Sequence, residues 1–281
     1  MRSRPRWLAK AVLWGCILQL TATSARCEQG GAPFELSRTD TESLALESAV
    51  STALLGGSWM LAGSPRKRCR WCRVNSFDTS IRESLRSSHP RTAALLSHVT
   101  SLGLVPVVTL SWLAAPAWPD GRPQRALEDV WITLNGMALT TATAVVTKRV
   151  AARQRPAFHY VLAGDTEYRN QPFQENQSFF SVDTAWAFSI ASSATTLAAL
   201  HGYEAAPFIG IAGGALASTA GILRIAADVH WGTDVIAGAA VGTLIGAGLP
   251  LLAHPRRGQS STEISVSVLA SPDGVQISGC F

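Results

Sequence analysis

The chain has 281 residues and a formal net charge of +5. Charged residues make up only 15% of it and hydrophobic residues 47%, against about 25% charged in an average soluble domain, which excludes disorder, a coiled coil and a charged solenoid. Mean hydropathy is +0.17, too low for an oily transporter, and the location of the basic residues must decide between nucleic acid, anionic lipid and a phosphate substrate.

At the N-terminus, Arg2, Arg4, Arg6 and Lys10 precede an apolar run from Ala11 to Leu20, and small residues lead to Ala25. That order predicts a secretory signal over residues 1–25. Arg26 stands where a lipid-attachment signal at Cys27 would want a small residue. After a short polar stretch come six apolar segments: Leu44–Ala62, Thr92–Ala115, Val130–Thr147, Thr184–Leu200, Pro207–Leu223 and Asp234–Ala253. Runs of this length favour helix over strand. Their glycines and alanines, Gly238, Gly242 and Gly246 among them, suit close helix contacts. The expectation for residues 44–253 is an all-α, six-helix, membrane-embedded bundle. In the tail, 260–281, Ile264–Val268 alternates, Pro272-Asp273-Gly274 signals a turn and Val275–Ile277 resumes, which predicts a β-hairpin.

Of the five cysteines, Cys69 and Cys72 form a C-x-x-C pair in a basic loop. One such pair supplies two ligands where structural zinc takes four. In an exported chain it predicts a local disulfide.

Basic residues gather between segments one and two, from Arg66 to Arg91, and between three and four, at Lys148, Arg149, Arg153 and Arg155. Arg224, Asp228, His230 and Asp234 lie at the junction of segments five and six. Alternate loops of an up-and-down bundle share one end, so the three groups meet there. This is the pattern of an anion site, not of a nucleic-acid stripe. Lys148 and Arg155 are seven residues apart, two helical turns, so an ammonium and a forked guanidinium converge as a phosphoryl group requires. His230 and Asp234 are four apart, so a carboxylate can hold one imidazole nitrogen and leave the other as nucleophile or base.

The spacing Lys148-x6-Arg155-Pro156, followed by Arg224-x5-His230-x3-Asp234, resembles the type 2 phosphatidic acid phosphatase superfamily. That superfamily also holds class A acid phosphatases and vanadium haloperoxidases. The resemblance covers roughly residues 44–253. It implies that Lys148, Arg155 and Arg224 bind phosphate, that His230 attacks phosphorus, that Asp234 orients His230, and that no cofactor or metal is used. It further implies a phosphorylated lipid, an isoprenyl pyrophosphate or a small phosphate ester as partner, at a membrane and without nucleic acid. Counting crossings from a cleaved signal puts the Lys148 end inside. The resemblance puts it outside, and the expectation follows the resemblance: a bacterial-type cell envelope with the site facing the periplasm.

The middle motif departs from the family's Pro-Ser-Gly-His. This chain reads Phe180-Ser181-Val182-Asp183. Ser181 can still offer a hydroxyl to phosphate. Val182 replaces the glycine and resists unusual backbone angles. Asp183 replaces the general acid, and an ionised carboxylate cannot donate a proton; Asp183 when protonated, or His159, would have to serve. Leu223 stands where the family usually has Ser. Two readings result: a phosphoric monoester hydrolase working through a phosphohistidine, or a weak or inactive relative that binds a phosphate headgroup.

Overall fold

The computed structural model describes residues 41–62, 68–117, 123–160, 175–254, 266–271 and 274–279. The expected signal at residues 1–25 lies outside them.

The apolar segments become α1 (Thr41–Ala62), α3 with α4 (Pro90–Val99 and Val105–Ala114), α5 (Pro123–Ala151), α7 (Val182–Leu200), α8 (Ala206–Ala226) and α9 (Gly232–Ala253). Two short helices lie between them, α2 (Ser76–Leu85) and α6 (Pro156–His159). The second segment differs from the single helix expected. A π turn over Thr100–Leu104 separates α3 from α4, and Val105 N–H reaches Thr100 O, five residues back. Pro106, at the start of α4, has no N–H and its ring crowds the preceding turn, so the widened turn accommodates it. In the tail, β1 (Val266–Ser271) pairs antiparallel with β2 (Gly274–Gly279), Val268 opposite Ile277.

The bundle is built around α7, whose Ala, Ser and Thr residues let its neighbours approach. Gly238, Gly242 and Gly246 of α9 lie against the backbone of Ser181, Ala185 and Ser189, and a Cβ at any of the three would collide with those carbonyl oxygens. Spacing by four keeps the three glycines on one face. Interior hydroxyls are satisfied locally: Thr133 Oγ1 and Ser193 Oγ share a 3.0 Å bond, and Ser97 Oγ donates to Ala220 O at 2.9 Å.

The outer faces are apolar. Ile211 and Leu244 are 72% and 73% exposed, on α8 and α9. Among the described residues, four helices, α3 with α4, α5, α8 and α9, are long and apolar enough to cross a membrane. Large apolar side chains outside and small or hydroxylated ones inside are what a hydrocarbon surround favours. At 1.5 Å per residue, the 29 residues of α5 span about 44 Å. That exceeds a hydrocarbon core of about 30 Å.

Candidate active site

The end of the bundle that carries Lys148 is fastened by two buried ionic clamps, both reaching back to α2. Asn75 starts that helix by accepting Asp78 N–H at 2.7 Å. Asp78, fully buried, accepts from the backbone N–H and the hydroxyl of Thr233, each at 2.8 Å. It also accepts from Arg153 Nη2 at 2.6 Å. The other Arg153 nitrogen, Nη1, donates to Asp234 Oδ1 at 2.5 Å and to Thr233 Oγ1 at 2.7 Å. The guanidinium carbon lies 4.0 Å from the centre of the Trp71 ring and 5.7 Å from that of Trp231. A guanidinium can be buried this deeply only with two carboxylates and aromatic faces around it.

The second clamp fixes the loop that presents His230. Asp228 takes a left-handed backbone, φ 62°, which Asp tolerates better than most residues. Arg82 grips its carboxylate with two bonds of 2.5 and 2.7 Å, and Arg86 adds a third contact at 3.3 Å. Ser87 N–H donates to Ala226 O at 2.9 Å and Ala157 N–H to Asp228 O at 3.0 Å. The three polar loops thus meet at one end. Part of their basic excess is committed to internal carboxylates, so Arg82, Arg86 and Arg153 hold protein in place and are not part of an anion cradle.

His230 sits in the loop between α8 and α9, 1% exposed, and neither ring nitrogen has a hydrogen-bond partner among the described residues. Burial, and then the positive charges of Arg155, Arg224 and Lys148, hold its ring well below the ordinary imidazole range, against an opposing pull from Asp183. Those three cations, expected from spacing to act together, all bear on this one ring. Asp234 Oδ2 is 3.7 Å from His230 Nδ1, beyond hydrogen-bond length. The same carboxylate caps α9 through Trp231 N–H at 2.9 Å and accepts from Ser178 Oγ at 2.5 Å. Asp234 is therefore anchored by three groups beside the imidazole it was expected to orient.

The middle motif opens α7. Val182 begins that helix without a positive φ, so the backbone makes no demand for glycine there. Its side chain packs with Ala144, Phe180 and Ala185. Ser181, fully buried, shares a 2.8 Å bond with Thr184 Oγ1, and its N–H donates to Asp234 O at 3.1 Å. Asp183 is 2% exposed and faces the Arg224 guanidinium, Nη2 at 3.4 Å, and the imidazole of His98 on α3, Nδ1 to Oδ1 at 2.6 Å. Burial opposes its charge, but the His98 contact and the Arg224 guanidinium outweigh burial and keep the carboxyl well below the usual range. His98 Nε2 in turn lies 3.4 Å from Arg224 Nη1. His159 is engaged elsewhere, against Gln154 Oε1 at 3.3 Å and the Tyr160 and Trp231 rings.

The expected pair Cys69 and Cys72 is joined in a disulfide, with Cα atoms 5.7 Å apart. Arg70 N–H beside it donates to Ala152 O at 3.1 Å. No group of three or more His, Cys, Asp or Glu side chains among the described residues is placed to hold a metal ion.

Residues 129–257 match the family model of the PAP2 superfamily. Over this segment, a little under half of the chain, the sequence is similar to that superfamily. No curated protein and no solved structure matches the chain significantly. The PAP2 segment contains Lys148, Arg155, Ser181, Asp183, Arg224, His230 and Asp234. It does not contain Asp78, Arg82 or His98, which arrive from α2 and α3. Sequence reasoning missed Asp78 and His98, and counted Arg82 only as one of the basic residues of an anion site. The available signal for His98 was a solitary imidazole inside an apolar segment, a group that needs a partner when buried.

Proposed function

We propose that the chain is a phosphatase of lipid phosphate or pyrophosphate esters that works through a phosphohistidine. The match of residues 129–257 to the PAP2 superfamily supports a phosphatase-type function. The observation that carries the mechanism is His230: a buried, unpartnered imidazole on which three cations bear. Such a ring stays neutral, as a nucleophile must, and the cations that keep it so would bind the phosphoryl oxygens and the charge that develops on them. His230 attacks phosphorus, the bond from phosphorus to the leaving oxygen breaks, and water then displaces the histidine. Lys148, Arg155, Arg224 and the Ser181 hydroxyl hold the phosphoryl group. Asp234 sets the orientation of the ring.

A lipid substrate is supported by an apolar groove between α1 and α5. It is lined by Ala53, Leu54, Leu139, Ala142, Val146 and Thr147, the last of these adjacent to Lys148. An acyl or prenyl chain lying there would bring its headgroup to the cation cluster from the membrane side. The expected signal and the Cys69–Cys72 disulfide support a site on the exported, oxidising face.

The test is to mix the purified protein in detergent with a radiolabelled aryl phosphate, quench, and map the label. Acid-labile phosphate on the peptide containing His230, absent from His230→Ala, is expected. Full hydrolysis by His230→Ala would overturn the mechanism. Asp183, held ionised at the acid's position, favours the second reading, a headgroup-binding relative; tight vanadate binding with no turnover of any ester would establish that reading instead.

A further inference from the structure

The reading above leaves the leaving group without a proton donor, because the residue in the acid's place is an ionised aspartate. We propose that His98 is that donor, so that the general acid of this chain has moved from α7 to α3 and Asp183 has become its positioning residue. This assignment rests on the phosphohistidine reading of the same site.

Three observations carry it. The first is the pairing: His98 Nδ1 lies 2.6 Å from Asp183 Oδ1. A carboxylate beside Nδ1 keeps a proton on that nitrogen and leaves Nε2 as the nitrogen that gives and takes the transferred proton. The second is the direction of that other nitrogen. Nε2 lies 3.4 Å from Nη1 of Arg224, one of the three cations that bear on His230. An ester whose phosphoryl oxygen is taken by Arg224 therefore has His98 Nε2 as a neighbour. The third is access. The His98 side chain is 50% exposed whereas Asp183 and His230 are buried, so His98 is the most accessible of the three.

The ring is also held in place. Ser97, the preceding residue, donates its hydroxyl to Ala220 O of α8 at 2.9 Å. Ala93, on the same helix, packs with Ala226, Ala227 and Val229, the residues leading into His230. Two carboxylate–imidazole pairs thus flank the cation cluster: Asp234 beside His230, and Asp183 with His98. The charged groups facing His98 are Asp183 from α7 and Arg224 from α8.

The chemistry balances. In the first step His98 acts as the imidazolium, with a proton on each ring nitrogen: His230 Nε2 bonds to phosphorus, the bond from phosphorus to the leaving oxygen breaks, and His98 gives its Nε2 proton to that oxygen, releasing an alcohol and leaving a neutral ring protonated at Nδ1 beside Asp183. In the second step a water oxygen bonds to phosphorus, the bond from phosphorus to His230 breaks, and the water's proton returns to His98 Nε2.

The experiment compares wild type and His98→Gln on an alkyl phosphate and on an aryl phosphate whose leaving group needs no protonation. A general acid contributes about 10²–10⁴-fold. His98→Gln should lower alkyl-ester turnover by at least about 100-fold and aryl-ester turnover by less than about tenfold, with vanadate affinity within about threefold of wild type, factors far smaller than a lost general acid would give. Moving the acid back, Asp183→His on His98→Gln, should restore alkyl-ester turnover. Equal losses on both esters, or no loss on the alkyl ester, would overturn the assignment and leave the phosphatase reading standing. Vanadate binding by wild type with no turnover of either ester would overturn both.

Discussion

Replacing Arg153 with Met tests whether the site depends on the clamp that reaches from α2. The variant keeps an unbranched side chain between Trp71 and Trp231 and removes the charge. Asp78 then keeps the Thr233 N–H, the Thr233 hydroxyl and Asn75 Nδ2, and Asp234 keeps Ser178 Oγ and Trp231 N–H. Both carboxylates remain buried, and neither has another guanidinium on it. Breaking a buried ion pair from one side costs about 3–5 kcal/mol. For a chain of this size about 2–4 °C of melting temperature goes with each kcal/mol, so the expected drop is about 6–20 °C. The assay is thermal unfolding in detergent at a fixed scan rate. Asp78→Asn combined with Arg153→Met should lose less than the two single changes summed, because one absent charge relieves the other. A drop under about 3 °C for Arg153→Met, corresponding to roughly 1 kcal/mol, or strict additivity in the double variant, would refute the reasoning.

Gly242→Ala should destabilise the bundle by about 1–3 kcal/mol as an overpacked contact, because its Cβ would strike Ala185 O. Gly248→Ala, with nothing within 4 Å, should leave the melting temperature unchanged. Stability should fall on acidification below about pH 6.5, by up to about 1.4 kcal/mol per pH unit from His230 alone. The sign follows from burial and the neighbouring cations: unfolded His230 takes up a proton that the folded site refuses, so the contribution is complete above the unfolded value and is lost as pH falls toward the folded one. His230→Asn should flatten that slope, as read by thermal unfolding across pH. Cys69 and Cys72 should resist thiol labelling until a reductant is added; two reactive thiols in the untreated protein would refute the disulfide.

The six long helices were legible because each apolar segment is long and bounded by polar residues, which needs no knowledge of neighbours. The break at Thr100–Leu104 was not, since Pro106 sits inside an otherwise continuous apolar run. Helix α2 was hidden: Ser76–Leu85 is short, and its arginines read as part of a basic loop. The candidate site was legible where spacing fixes geometry, at Lys148 and Arg155 or His230 and Asp234. It was illegible where partners are far apart in the chain. Asp78 and Arg153 are separated by 75 positions, and Arg82 and Asp228 by 146. The conflict expected at Val182 does not arise in the backbone, because that residue begins a helix in an ordinary conformation. What the substitution at Asp183 meant could not be read from the motif at all, since His98 lies on another helix.

The clamps from α2 have a consequence for inheritance. Asp78 and Arg82 precede the stretch that carries the family likeness, while Arg153 and Asp228 lie within it. Each ion pair is thus split between the segment that matches the family model and a segment outside that match. A graft of residues 129–257 onto another N-terminal half would strand Arg153 and Asp228 without their opposite charges unless that half brought its own. Among natural relatives the same constraint should appear as correlated change, position 78 with 153 and position 82 with 228. Covariation would then find α2 where similarity does not.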